Sequence, residues 1–122
     1  MVEVTGDQIT NALQVVISTI SKCEKQQQKF LEGSSSHTLL RNRIKAMYIS
    51  KELLSEDPER MKYSRDDLVQ ALKPVESIIN KCEAGQKKYS AEAPLYKRFQ
   101  KIIDAMTVAK ALIIAEIDNR FK

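Results

Sequence analysis

Apolar residues recur at alternating steps of four and three positions in two separate parts of the chain. Steps of this kind place one apolar stripe along a helix and are typical of the seam of an antiparallel bundle. The first stripe contains Ile9, Leu13, Val16, Ile20, Cys23, Gln27 and Phe30, and the second contains Leu68, Leu72, Val75, Ile79, Cys82, Gln86 and Tyr89. The pattern therefore predicts two long amphipathic helices.

Both predicted helices begin at a recognisable cap, and each is followed by a further helix. Thr5 precedes Gln8 by three positions and Ser64 precedes Asp67 in the same way, as in a capping box. Beyond short turns at 33–36 and 91–94, two more stripes contain Leu40, Ile44, Met47 and Leu54, and then Phe99, Ile103, Met106, Ile113 and Ile117. Because short connections make sequential helices antiparallel, we predict an all-α fold, an antiparallel up-down-up-down four-helix bundle.

The two parts of the chain are related by a shift of 59 positions. Comparing residues 5–56 with residues 64–115 without a gap gives 16 identical pairs among 52, far more than unrelated sequences share. We therefore interpret the chain as a tandem-duplicated helical hairpin within a single helical-bundle domain at 1–122. Hairpin repeat one covers 5–56, a polar linker covers 57–63 and hairpin repeat two covers 64–121. They are called hairpin one, the linker and hairpin two below.

The composition agrees with a helical protein. Of 122 residues, 43% are hydrophobic and 30% are charged, whereas glycine and proline number only three each. The amino-terminal segment has neither the basic nor the apolar region of a signal peptide. The longest strongly apolar stretch, at 111–115, is far shorter than the roughly 20 residues that cross a bilayer. We therefore expect a cytoplasmic protein with no membrane span.

Few side chains have the spacing that catalysis or metal binding requires. Cys23 and Cys82 occupy equivalent repeat positions, but helices one and three are diagonal in such a bundle, which predicts a separation beyond the ~7 Å disulfide limit. Zinc needs two further ligands, and the single histidine, His37, lies in a serine-rich turn. We therefore predict no catalytic residue, no metal and no cofactor. A small ligand held by the cysteines together with Gln27 and Gln86 is a third, less favoured interpretation.

Charge is distributed unevenly along the predicted bundle. The segments flanking the two hairpin turns, 22–45 and 81–104, carry twelve basic and five acidic residues, a net charge of +7 in a chain whose total is +4. Such a basic end suits nucleic acid, an anionic membrane surface or an acidic protein, although interspersed charges also serve simply to solvate helices. The candidate anion-binding residues are Lys25, Lys29, Arg41, Arg43, Lys87, Lys88, Lys97, Arg98 and Lys101.

The fourth predicted helix carries a second apolar stripe. Where hairpin one has Arg43, Glu52, Ser55 and Glu56, hairpin two has Ile102, Ala111, Ile114 and Ala115. A helix that is apolar on two faces is normally buried on both. The candidate self-association residues are Val108, Ala111, Ile114 and Ala115. Our leading hypothesis is a non-enzymatic protein-interaction or regulatory module that forms a homodimer through this helix. The alternative is electrostatic binding of nucleic acid or an anionic surface at the basic turns.

Overall fold

The computed structural model describes residues 4–121, and this part of the chain is helical with no strand. Its elements are α1 at Gly6–Gln27, α2 at Ser35–Leu54, a 3-10 helix at Pro58–Lys62, α3 at Arg65–Gln86 and α4 at Pro94–Arg120. The four α-helices pack as the predicted antiparallel up-down-up-down four-helix bundle. Among the described residues, no helix is long and apolar enough to cross a membrane.

Helices α1 and α3 begin with the two predicted capping boxes. The Gln8 amide donates to the Thr5 hydroxyl at 3.2 Å, and the Thr5 amide donates to the Gln8 side chain at 2.8 Å. Ser64 and Asp67 form the same reciprocal pair at 3.1 and 3.0 Å. Each box satisfies amide donors that the first helical turn cannot pair internally, which fixes where each helix begins.

The second helix of each hairpin starts in a different way. In hairpin one, Gly33 adopts a φ of 89°, and the Ser34 hydroxyl then caps α2 by accepting a hydrogen bond from the His37 amide. A positive φ favours glycine because it has no Cβ atom. Helix α4 has no side-chain cap and begins at Pro94, whose fixed φ suits a first helical turn and which has no amide proton to pair.

Both hairpin turns lie at one end of the bundle, called here the turn end. At the opposite end, Arg120 near the end of α4 donates to the backbone carbonyl oxygens of Arg60 and Tyr63 in the linker. Helices α2 and α4 contact each other across the bundle, whereas no Cα atom of α1 lies within 8 Å of one in α3. A disulfide, which needs Cα atoms within ~7 Å of each other, therefore cannot join α1 to α3.

All four helices contribute to the core. Its largest fully buried side chains include Met47 and Ile49 of α2, Leu68 of α3, and Met106 and Ile113 of α4. Four of these five lie in the apolar stripes of the sequence, and Ile49 lies outside them. Removal of this apolar surface from water is the main stabilising contribution to the bundle.

The apolar seams end earlier than the sequence pattern predicts. Helices α1 and α3 end at Gln27 and Gln86, so Phe30 and Tyr89 lie in the turns and are 44% and 42% exposed. The two glutamine side chains donate to carbonyl oxygens in the first turn of the following helix, at 3.4 and 3.2 Å. These bonds tie the two helices of each hairpin together at the level where the seam ends.

The helix bounds of the two hairpins correspond closely. Gly6 and Arg65, at the starts of α1 and α3, are 59 positions apart, and so are Ser35 and Pro94 at the starts of α2 and α4. This is the same shift that aligns the sequence with itself. A duplication as the origin of the two hairpins stays a prediction from the sequence.

Candidate anion-binding sites

The nine candidate anion-binding residues lie in the turns and in the parts of α1, α2 and α4 that approach the turn end. Eight of the nine are exposed, and Arg43 is the half-buried exception. Lys25 lies in the last turn of α1, Lys87 and Lys88 follow the end of α3, and Lys97 lies in the first turn of α4. Within residues 4–121, none of the nine forms an ion pair.

The linker end is different, because two of its basic residues are paired with carboxylates. The Lys62 ammonium lies 3.6 Å from Glu52, and the Arg60 guanidinium lies 3.6 Å from Glu116. Cations that already contact carboxylates contribute little to the attraction of a further anion. The basic groups of the turn end keep their full charge toward solvent, so this end attracts anions more strongly.

Exposed apolar side chains lie among the basic residues of the turn end. Phe30 and Leu31 occupy the first turn, Tyr89 the second, and Leu95 the first turn of α4, with Leu31 84% exposed. Sequence reasoning missed this feature because it assigned Phe30 and Tyr89 to the buried seam. The available signal was the polar run that contains each seam glutamine, 24–29 and 86–88, and that precedes the aromatic residue.

Arg43 differs from the other candidates because its guanidinium group lies largely inside the bundle. Its Nε and Nη2 atoms are sealed from water and have no hydrogen-bond partner. A buried donor without an acceptor destabilises a protein by about 1–3 kcal/mol, and a charged one by more. Arg43 is therefore one of four described residues with a buried and unpartnered polar side-chain atom, the others being Glu52, Glu116 and Arg120, although nothing in its sequence context separates it from its neighbours.

The two cysteine thiols lie close enough to Arg43 to be influenced by its charge. Burial raises the pKa of Cys23 and of Cys82, while the positive charge of Arg43 acts in the opposite direction on both. Both cysteines are buried and unbridged. Since α1 and α3 approach no closer than 8 Å between Cα atoms, a disulfide between them is excluded by geometry.

Arg43 also lines a groove of about 360 Å³ between α2 and α3. Its walls are mainly apolar and include Leu39, Ala46, Ile49, Ala71 and Pro74. An ion pair between Lys45 and Asp67, 2.8 Å long, also borders the groove, as does Lys73. The groove thus combines an apolar body with an excess of positive charge.

Pro74 leaves one backbone carbonyl oxygen of α3 without its usual helical donor. The helix continues through Pro74, as its bounds show. Since proline has no amide proton, the carbonyl oxygen of Gln70, four residues earlier, has no helical donor. Both residues line the groove between α2 and α3.

The structure divides the four candidate self-association residues between two environments. Val108 is buried in the core, and Ala111 is half-buried beside a second groove between α1 and α4. Ile114 and Ala115 are exposed. The predicted stripe is therefore not one continuous free surface, because Val108 belongs to the core.

The remaining polar positions of the core have identified roles. Gln86 donates to the Tyr96 carbonyl oxygen and to the Gln100 side chain, and Gln27 donates to the His37 carbonyl oxygen. The glutamine layer is thus used to join helices. Among residues 4–121, no three His, Cys, Asp or Glu side chains come together as a metal site would require.

Comparison of the chain with protein-family models, with curated proteins and with solved structures finds no match.

Proposed function

We propose that this protein is a non-enzymatic interaction module whose turn end binds an anionic membrane surface. The observation that carries the proposal is the combination of unpaired basic residues with four exposed apolar side chains, Phe30, Leu31, Tyr89 and Leu95, at the same end of the bundle. Basic residues attract anionic headgroups, and apolar side chains between them enter the boundary between headgroups and acyl chains.

The free energies expected for the individual contacts favour membrane binding that is reversible and sensitive to salt. Each basic residue held near an anionic membrane contributes about 1 kcal/mol, and this attraction decreases within a Debye length of ~10 Å at 0.1 M salt. Several of the nine candidates lie within that distance of a membrane that contacts both turns. Burial of one leucine or phenylalanine side chain adds about 1.5–3 kcal/mol when it is complete.

Vesicle co-sedimentation tests the proposal. We expect binding to vesicles that contain phosphatidylserine, weaker binding as salt rises, and none to pure phosphatidylcholine. Replacement of Lys87, Lys88, Lys97 and Arg98 by glutamate should abolish the binding. As a matched pair of single changes, Lys88→Glu should weaken it, whereas Arg65→Glu, an equal charge reversal at the linker end, should not. Equal effects of the two single changes would contradict a site at the turn end.

A second set of measurements separates a membrane surface from nucleic acid. Leu31→Ser removes the most exposed apolar side chain of the turn end and leaves the charge unchanged. A membrane-binding protein should lose vesicle affinity with this change. If the protein instead binds duplex or single-stranded nucleic acid, and Leu31→Ser leaves that affinity unchanged while the glutamate variants abolish it, the turn end is a nucleic-acid site.

Self-association through α4 is a second candidate function, favoured by the exposure of Ile114 next to Ala115. Sedimentation velocity over a range of concentrations should then show a dimer, and Ile114→Lys should convert it to a monomer. Ile17→Lys is the matched control, since Ile17 is an isoleucine on α1 that is 48% exposed, compared with 40% for Ile114. A monomer at the highest concentration of the unchanged protein would contradict this proposal.

A further inference from the structure

A groove on the α1–α4 side of the bundle has features that the turn-end proposal does not explain. It lies between residues 14–22 of α1 and 98–102 of α4, has a volume of about 240 Å³ and is called here the basic groove. Lys22 lines it from α1, and Arg98 and Lys101 line it from α4. The basic groove therefore brings three positive charges from two helices to one concave surface.

The positive charges of the basic groove have no negative partner. Within the described part of the chain, no acidic side chain lines this groove, and none of its three cations forms an ion pair. Two other grooves differ, because Asp67 lines the α2–α3 groove and Asp104 lines the groove beside Ala111. Like charges held on one surface repel one another, so their concentration in a concave surface favours the binding of an anion.

The polar groups of the basic groove are accessible to a ligand. Five exposed residues line it with hydrogen-bond donors, namely Gln14, Ser18, Lys22, Arg98 and Lys101. Thr19 lies beside them, but its hydroxyl already donates to the Val15 carbonyl oxygen at 2.8 Å. A ligand in the basic groove therefore meets ammonium, guanidinium, hydroxyl and carboxamide groups that solvent also reaches.

A comparison between the hairpins shows that the fold does not require these charges. The shift of 59 positions that aligns the two hairpins also aligns the basic groove with the α2–α3 groove. Arg98 corresponds to Leu39 of that groove. Lys101 corresponds in the same way to Asn42. The same helical arrangement is thus built without basic residues at these two positions, and a role in binding an anion accounts for them.

We propose that the basic groove binds a phosphate monoester. Such a group carries a charge of about −1.5 to −2 at pH 7 and has three acceptor oxygen atoms, which matches three cations and the donors beside them. A carboxylate has only two oxygen atoms and one charge, and each phosphodiester of a nucleic acid also has one charge. Because the groove is smaller than the ~300 Å³ of typical small-molecule sites, it holds the phosphate group and leaves the rest of the ester in solvent.

Calorimetric titration with glycerol 3-phosphate tests the proposal. We expect saturable binding that weakens as the pH falls below ~6, where the phosphate takes up a proton and loses one charge. Sulfate keeps two charges over this range, and lysine and arginine side chains stay charged, so sulfate binding should not change with pH. Dimethyl phosphate, with one charge, should bind at least about tenfold more weakly. Absence of saturation, or equal binding of dimethyl phosphate, would overturn the proposal.

Matched variants locate the binding in the groove. Lys22→Gln and Lys101→Gln should each lower the affinity for glycerol 3-phosphate about tenfold, since each removes a charge-assisted hydrogen bond. Lys88→Gln removes the same charge in the second turn and should leave the affinity unchanged. Because all three side chains are exposed, none of these variants should lower the thermal midpoint. Equal losses of affinity in all three would overturn the proposal, since attraction to the total charge of the protein would then explain the binding.

Phosphate monoesters occur in small soluble molecules and in the headgroup of phosphatidic acid, and vesicles distinguish the two sources. For a lipid, vesicles with phosphatidic acid should bind more tightly than phosphatidylserine vesicles of equal surface charge, and Lys22→Gln should remove the difference. For a soluble ester, the two kinds of vesicle should bind equally while glycerol 3-phosphate still saturates the groove. Leu31→Ser, which weakens membrane binding at the turn end, should leave the affinity for glycerol 3-phosphate unchanged. Loss of that affinity in Leu31→Ser would overturn the proposal of a separate groove.

Discussion

Hairpin one and hairpin two have the same arrangement of helices, but they differ in the polar side chains that lie in the interior of their second helix. Helices α1 and α3 both span 22 residues, begin with a capping box and end at a glutamine that bonds to the next helix. Their partners differ, because α2 carries Arg43 and a fully buried Ser50 where α4 carries Ile102 and Ala109. The Ser50 hydroxyl donates to the Ala46 carbonyl oxygen, whereas the buried donors of Arg43 remain unsatisfied.

This difference shows which features of the bundle belong to its stability and which do not. Each hairpin contributes ten buried apolar residues, so the polar groups of α2 do not reflect a smaller core in hairpin one. The shared seams, caps and glutamines account for the helical frame that both hairpins have. What one hairpin carries and the other does not, such as Arg43 in hairpin one or Arg98 and Lys101 in hairpin two, is where we look for function, and the predictions below test that separation.

The largest effect is expected from truncation of the matched core residues Met47 and Met106. Both are fully buried at equivalent positions of α2 and α4. Met47→Ala and Met106→Ala should each lower the free energy of unfolding by about 2–5 kcal/mol, because each leaves a cavity in addition to the lost transfer energy. Urea denaturation monitored by circular dichroism measures both losses.

The same pair of variants tests whether the two hairpins unfold together. A single cooperative transition with an unchanged m-value in both variants is expected for one domain at 1–122. If Met106→Ala instead produced two transitions while Met47→Ala produced one, the hairpins would be separate folding units. The effects of the two substitutions on stability could then not be compared as changes to one core.

A smaller effect is expected at Gly85, where hairpin two has a glycine close to the ring of Phe99 on α4. A Cβ atom added to Gly85 would lie 2.8 Å from the ring of Phe99, whereas one added to Gly6 would meet no atom within 4 Å. Overpacking destabilises by about 1–3 kcal/mol, and the better helix propensity of alanine returns up to about 1 kcal/mol. Gly85→Ala should therefore lower the free energy of unfolding by about 1 kcal/mol.

Hairpin one suggests how to reverse that loss. It carries Leu40 where hairpin two carries Phe99, and Gln26 where hairpin two carries Gly85. Adding Gly85→Ala to the Phe99→Leu variant should lower the free energy of unfolding by less than adding Gly85→Ala to the unchanged protein does. Gly6→Ala serves as the control and should cause no loss. Additive effects of the two changes would show that the ring does not limit the size of residue 85.

The helices and their partners were predictable from sequence because they depend on local and periodic signals. The four-three steps located the seams, and the residue types at Thr5 and Ser64 located two helix starts that the structure confirms. The exposure of Phe30 was not predictable from the same steps, since the apolar period continues past the point where α1 ends. Capping and side-chain bonds at Gln27 decide that end, and they depend on the neighbouring helix.

The candidate site was predictable only in part, for a related reason. Charge along the chain indicated the basic turn end, because both turns of an antiparallel bundle lie together. It grouped Arg43 with exposed residues such as Arg41, although the structure places the Arg43 guanidinium inside the bundle. Which way a long side chain extends depends on the packing of three helices around it. The groove between α2 and α3 has no signature in the sequence of either helix.

The smallest effect concerns the two capping boxes, which differ in one chemical property. Hairpin one uses the neutral Gln8, whereas hairpin two uses Asp67, whose pKa is lowered by the hydrogen bond from Lys45 and then by the bond with the Ser64 backbone. A lowered pKa means that Asp67 stabilises the fold above its unfolded-state pKa of ~3.9 and that this contribution is lost as the pH falls through the folded-state pKa. Only the box of hairpin two should respond to acid.

Asp67→Gln converts the second box into the type found in hairpin one. Relative to the unchanged protein, it should lower the free energy of unfolding at pH 6 by less than about 1 kcal/mol, because exposed ion pairs contribute little. This difference should disappear as the pH is lowered below ~3.9, as measured by urea midpoints across that range. Lys45→Met should remove more of the pH dependence than Ser64→Ala, since the 2.8 Å bond to Lys45 is the larger influence. A difference between the unchanged protein and Asp67→Gln that stayed constant with pH would show that Asp67 acts through the geometry of its cap and not through its charge.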